Sequence, residues 1–223
     1  MTFDKEILFP IDSQINQKGN LEIGGCDMVD LIRQFGTPIY LFDEHTIRSK
    51  CKEFIQDFTK VYPNTQVVYA SKAYINPTLA RIFNDEGLGL DVVSGGELAV
   101  AQAVNFPPEK IYFHGNNKSY QELEQAVDYG IGRVVVDNFY EINLLNDLAK
   151  QKGVKQPILI RISPSVDPHT HSHTTTGVLD SKFGFAIETG DAEKAVKECL
   201  SASNLSLMGL HFHLGSPIFE MEP

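Results

Sequence analysis

The sequence predicts an α/β fold, a (β/α)8 TIM-type barrel that stops after its sixth strand, and three observations predict it. Strand-like runs nearly continuous in Val, Ile and Leu alternate six times with helical segments, the pattern of a parallel sheet covered by helices. The unusual polar residues gather at the C-terminal ends of those runs, where α/β barrels and open α/β sheets alike bind ligands. A closed barrel needs two more strand–helix units, roughly 250 residues in all, whereas this chain of 223 residues stops at "FEMEP", directly after the sixth strand. An open doubly wound sheet is the competing architecture.

The elements follow in order. "CDMVDLIRQFG" predicts a short amphipathic helix ending at Gly36, and "TPIYLFD" (37–43) a short strand. From Asp43, a suitable N-cap, Ile47, Cys51, Phe54, Ile55 and Phe58 recur at helical spacing. A unit then repeats. "QVVYASKA" is a strand, and Asn76-Pro77 opens a helix that stops at Gly87. "LGLDVVS" is a strand, after which Ser94 and Glu97 form a capping box for the next helix. "KIYFHG" is a strand, and Ser119 with Glu122 repeats the box. "GRVVVD" is a strand, and Asn138 with Glu141 starts a helix running to Gly153. "PILIRIS", a longer loop, a helix from about Asp191 and the strand "LSLMGLHFHLG" complete the chain.

Composition narrows the partners. With 19 Lys and Arg against 29 Asp and Glu, the net charge is −10 and no basic block occurs, which speaks against nucleic acid and anionic membrane surfaces. No stretch approaches the roughly 20 apolar residues of a membrane span, and "MTFDKEILFPID" lacks the layout of a signal peptide. Cys26, Cys51 and Cys199 are scattered, with no C-x-x-C, as expected of reduced thiols in a cytoplasm.

The strand ends carry the chemistry. Lys72 ends the first strand, Asp91 lies within the second, and His114 and Asn116 follow the third. Arg161 falls late in the fifth, and His211 and His213 end the sixth, ahead of Gly215-Ser216. Strand alternation in "GLHFHLGS" puts Leu210, Phe212 and Leu214 on one face, for the helices, and both histidines on the other, for the barrel interior. Taken singly, a strand-end lysine is more often solvated than catalytic, and a lone strand histidine is more often a hydrogen-bonded core residue than a ligand. A lysine in a partly desolvated pocket, however, is a usable amine nucleophile, and its characteristic product is a Schiff base with a carbonyl substrate or with pyridoxal phosphate. A histidine can lie flat against an aromatic cofactor, and "GS" at 215–216 can supply phosphate donors.

Six motifs, "GTPIYLFD", "YASKAY", "GLDVVSGGEL", "FHGNNKS", "DSKFGF" and "GLHFHLGS", run in order from about residue 36 to the chain's last strand. Together they resemble the diaminopimelate decarboxylase family of the fold-type III, alanine-racemase-like pyridoxal-phosphate enzymes. The resemblance implies decarboxylation of meso-2,6-diaminopimelate to L-lysine with pyridoxal 5'-phosphate as cofactor, in a cytoplasmic homodimer acting on a small amino acid. It implies catalytic roles for Lys72, which carries the cofactor covalently, and His213, which stacks on its ring. Ser216 binds the phosphate, Asp91 and Arg161 line the pocket, and His114 and Asn116 join them on a looser motif match. Lys118 is the comparison lysine, whose replacement is expected to leave turnover intact. Residues 1–43 would belong with a C-terminal β-domain and 44–223 with the cofactor barrel.

Two departures accompany the resemblance. Pro217 stands where the family has Gln, removing a donor beside the phosphate site. The family's proteins are also about twice this long, so the chain reads as their N-terminal half. By itself that half is expected to be poorly stable or self-associating. Three other readings remain open: a related basic amino-acid or polyamine-precursor decarboxylase, a metal-dependent barrel hydrolase using "HFH" and "HTHSH" (169–173), and a non-catalytic protein of the same fold.

Overall fold

A computed structural model of the chain describes residues 9–164 and 182–216. They form two compact units, one of the residues up to Val67 together with Asp85–Leu88, the other of Val68–Asn84 and the residues from Gly89 onward.

In the first unit, β1 (Gln14–Ile15), β2 (Leu21–Ile23) and β3 (Cys26–Asp27) form a small antiparallel sheet. Strands of two or three residues leave no periodic trace, which is why the sequence does not announce them. Asp27 then caps α1 (Met28–Phe35), accepting from the backbone N–H groups of Val29 and Asp30, and Gly36 closes the helix as expected. Hydrogen bonds from the Asn20 and Asn16 amides hold the Asp27 carboxyl well below the usual carboxylate range. The strand expected over 37–43 does not form. Ile39, Tyr40, Leu41 and Phe42 are exposed, and among the described residues no strand pairs with them. β-Propensity makes a strand only where a neighbour completes the ladder. Asp43 caps α2 (Glu44–Val61) by accepting from Thr46 N at 2.8 Å, as predicted. Arg48 on that helix reaches Glu44 at 2.7 Å and Glu86 at 2.9 Å.

The second unit begins with β4 (Val68–Ala70), α3 (Pro77–Asp85), β5 (Gly89–Val92), α4 (Gly95–Ala103), β6 (Ile111–Phe113) and α5 (Tyr120–Tyr129). It continues with β7 (Arg133–Val136), α6 (Phe139–Lys152), β8 (Gln156–Ser163), β9 (Phe185–Ala186), α7 (Asp191–Ser201) and β10 (Leu205–His211). The sheet runs β4-β5-β6-β7-β8-β10, every pairing parallel. Each strand lies beside the one before it, with no reversal of order. A doubly wound sheet reverses at its switch point; this is the wall of a barrel. Val68 faces Gly89, Leu90 faces Ile111 and Tyr112 faces Arg133, so one twenty-one-residue step recurs three times. β9, which the sequence reading left inside a loop, adds a two-residue parallel pairing to the end of β8.

Alternation divides the strands' side chains. Leu90, Val92, Ile111 and Phe113, with Val134, Val136, Ile158 and Ile160, have no accessible surface, and neither have Leu98, Leu123, Leu145 and Leu148 of the helices. Each such side chain, fully buried, is worth about 1.5–3 kcal/mol. The intervening positions, among them Asp91, Tyr112, Leu159 and Arg161, face the other side.

The helix starts differ in one respect from expectation. At Ser119–Glu122 both halves of the capping box form. At Ser94, the hydroxyl accepts from Glu97 N at 3.3 Å, but the Glu97 carboxylate passes Ser94 N and accepts from Val93 N at 2.8 Å. Glu141 does the same, accepting from Asp137 N at 3.0 Å, while Asn138 accepts from Glu141 N at 2.9 Å. The acceptor for Gly95 N comes instead from Glu122 of the following helix, at 2.9 Å. Among the described residues no helix is long and apolar enough to cross a membrane.

Candidate functional site

At the C-terminal end of the parallel sheet lies a cavity of about 410 Å³, within the range small ligands occupy. Six of the seven residues to which the resemblance gives a role line it: Lys72, Asp91, His114, Arg161, His213 and Ser216. They come from the ends of β4, β5, β6, β8 and β10, so the sheet's parallel order is what gathers them. Asn116 is not among the lining residues. Its side chain turns away and donates to the carbonyl of Lys182 at 3.1 Å. Pro217 and the "HTHSH" run lie outside the described residues.

Lys72 differs from its expected setting. The strand ends at Ala70, Lys72 sits in the turn beyond it, and its side chain is exposed rather than desolvated. The buried member of that turn is Ser71, whose N–H donates to Asp91 O at 2.8 Å and holds the turn onto β5.

Around the cavity the charges are unbalanced. Arg161 is buried, with Nε 3.8 Å from Asp137 Oδ1 and its guanidinium carbon 4.4 Å from the centre of the Phe183 ring. Burial pushes the Asp91 carboxyl up to about 7 against the pull of Lys72, so much of its negative charge is absent near neutrality. Burial also lowers His114 to about 3 and His211 to about 4, with nearby cations adding to the effect. Both imidazoles are therefore neutral, packed edge to face with ring centres 4.6 Å apart. His114 Nε2 lies 3.6 Å from Asp91 Oδ1. Among the described residues, Asp91 Oδ1 and His211 Nδ1 are buried without a hydrogen-bond partner. Two cations facing one partly protonated carboxylate make a positive hollow in a chain of net charge −10. The first unit has a larger hollow, about 740 Å³, but Asp12, Glu22, Asp43 and Glu44 line it and neither lysine nor arginine does.

This donor set fits pyridoxal phosphate. It offers an amine for an aldehyde, an imidazole for a flat ring, and a hydroxyl and a buried guanidinium for an anion.

His211 lines the cavity beside His213, as the strand alternation predicts. Two residues around the cavity, Asp137 and Phe183, were not singled out in the sequence. Asp137, paired with Arg161, occupies the strand-end position of β7 that the other site residues occupy on their own strands. Phe183 had no signal beyond its motif. Lys118, expected to be a bystander, is buried against Glu141 at 2.6 Å, so its replacement by Ala is not a neutral comparison.

Residues 45–223 match the family model described as pyridoxal-dependent decarboxylase, pyridoxal binding domain. The diaminopimelate decarboxylase of Bacillus subtilis (strain 168) is 49% identical over 208 residues, covering 93% of this chain and 47% of that protein. The crystal structure of diaminopimelate decarboxylase from M. jannaschii superposes with a TM-score of 0.84 at 35% identity, over 95% of this chain and 49% of that one. The same enzyme in co-complex with L-lysine gives 0.82 at 36% identity, over 92% of this chain and 48% of that one. The chain thus spans about half the length of the relatives it matches.

Proposed function

The chain belongs to the pyridoxal-dependent decarboxylases, through their pyridoxal-binding domain, and from that premise we infer that the protein removes the α-carboxylate of meso-2,6-diaminopimelate to yield L-lysine. The observation that carries this reading is the positive strand-end cavity, where Lys72, Arg161, His213 and Ser216 meet. When bound there, pyridoxal phosphate supplies the electron sink that lets a carboxylate leave as CO2.

The chain's own residues hold and orient it. Lys72, exposed at the cavity's edge, is the amine that would hold the cofactor through its aldehyde. His213 would lie against the ring, and Ser216 would donate its hydroxyl to the phosphate. Arg161 and Asp91 set the charge around the ring, with His114 and His211 as a neutral wall that excludes water. Asn116 acts behind the cavity, steadying the loop at Lys182. The name borne by the Bacillus subtilis and M. jannaschii relatives supports the substrate, and the L-lysine of the co-complex is the product that reaction requires. We also propose a cytoplasmic homodimer. The three cysteines are free thiols, as a reducing compartment keeps them.

The test uses the full-length protein with pyridoxal phosphate and borohydride, followed by peptide mass analysis. The pyridoxyl group should be fixed on the peptide containing Lys72, and Lys72→Ala should abolish both labelling and CO2 release from meso-diaminopimelate. Label on another lysine would overturn the assignment of Lys72. Faster turnover of ornithine or arginine would overturn the substrate.

A further inference from the structure

The buried pair Lys118–Glu141 stands behind the cavity, not in it. The Lys118 ammonium has three donors, and three acceptors receive them: Gly115 O at 2.7 Å, Val135 O at 2.8 Å and Glu141 Oε1 at 2.6 Å. Each acceptor belongs to a different segment, namely the loop after β6, the end of β7 and the first turn of α6. The second Glu141 oxygen accepts from Asp137 N at 3.0 Å, and Asp137 faces Arg161. The pair is thereby linked to both sides of the cavity, through Gly115, which lines it, and through the guanidinium of Arg161. Two further bonds cross-tie the same loops: Asn138 Nδ2 to Asn116 O at 3.3 Å, and Asn116 Nδ2 to Lys182 O at 3.1 Å.

An ion pair this deeply buried is a poor source of stability, because desolvation consumes most of the attraction and well-packed apolar replacements often serve as well. What an apolar pair cannot do is bind two carbonyls and an N–H at fixed distances. We propose that Lys118 and Glu141 are positioning residues, a strut that holds Gly115 and Arg161 at the spacing a phosphorylated pyridine ligand needs. The strut rests on the reading of the cavity as the pyridoxal phosphate site.

The test compares the full-length protein with Lys118→Met/Glu141→Gln. This neutral pair keeps an acceptor for Asp137 N and releases the carbonyls of Gly115 and Val135. Three readouts separate position from stability: the thermal midpoint, amide hydrogen exchange at 114–117 and 183–184 without cofactor, and the pyridoxal phosphate concentration giving half-maximal borohydride labelling of Lys72. The strut predicts a midpoint close to that of the parent, faster exchange in both loops, and a labelling concentration raised about 10-fold or more. Parental exchange or a parental labelling concentration in the neutral pair overturns it. Should that pair not fold, Lys118→Arg retains the charge but not the geometry that joins two carbonyls and a carboxylate, and the same two readouts decide. A parent protein that never labels at Lys72 overturns the cavity reading itself, and the exchange rates still decide whether the pair holds the loops.

Discussion

Along β10 and just beyond it, Leu210, His211, Phe212 and His213 alternate between an exposed face and the cavity. His213 faces the cavity, and if its ring lies on the cofactor, His213→Ala should weaken pyridoxal phosphate retention by about 0.5–1.5 kcal/mol, with His213→Phe recovering part of the loss. Equilibrium dialysis checks this, and equal retention in all three proteins would refute it. Titration gives a second residue-scale prediction. Unfolded, His114 and His211 take up protons near their ordinary 6.5; folded, they wait until about 3 and about 4. The unfolded state therefore binds more protons between about pH 6.5 and 4, and stability falls as pH drops through that window. Asp91, raised from 3.8 to about 7, works the other way, since the folded state holds its proton where the unfolded chain has lost it. Urea midpoints without cofactor should fall less steeply toward acid in His114→Gln and more steeply in Asp91→Asn. Identical slopes would contradict both assignments. These residues were legible because polar side chains at the ends of apolar strands are conspicuous. Lys118 was not, because its burial depends on carbonyls brought together from segments that the sequence does not mark as neighbours.

The loop leading into β9 shows what an element-scale constraint looks like. Gly184 adopts φ +73°, and a Cβ there would lie 2.8 Å from Arg161 O and 3.1 Å from Arg161 Cγ. Gly184→Ala should cost about 1–3 kcal/mol through strain and, by pushing on Arg161, should weaken pyridoxal phosphate labelling of Lys72. Thermal unfolding and labelling, measured together, check it; a variant altered in neither would show that the loop yields freely. The elements themselves were largely readable. Apolar runs, Asn76-Pro77 and the Ser119–Glu122 box mark where strands end and helices begin, because those signals act within a few residues. The segment 37–43 misled for the converse reason. Its composition suits a strand, and a strand is a relation between two segments, of which this chain's described residues contain one.

At the scale of the whole molecule, the sheet leaves apolar surface uncovered. Met208, Leu210 and Phe212, on the face of β10 away from the histidines, are each about half exposed, at 52%, 54% and 56%. Neither β4 nor the outer edge of β10 has a further strand beside it among the described residues. Open edges beside bare apolar faces favour association between chains. A polypeptide of residues 1–223 should therefore self-associate with rising concentration in sedimentation velocity, and Leu210→Lys/Phe212→Lys should reduce it. A monodisperse monomer across that range would refute the prediction.

The recurring step of the sheet also bears on how the protein is made. From β5 to β8 each strand pairs with its predecessor across a step of 21 or 24 residues, and β10 pairs with β8 across a step roughly twice as long, a lengthening that adds only about 0.6 kcal/mol of loop-closure cost. A chain emerging from the ribosome at roughly 5–20 residues per second can dock each new strand within seconds of its synthesis. The wall can thus assemble from Val68 toward His211 in the order of translation, with the cavity's residues arriving one strand at a time and Ser216 last.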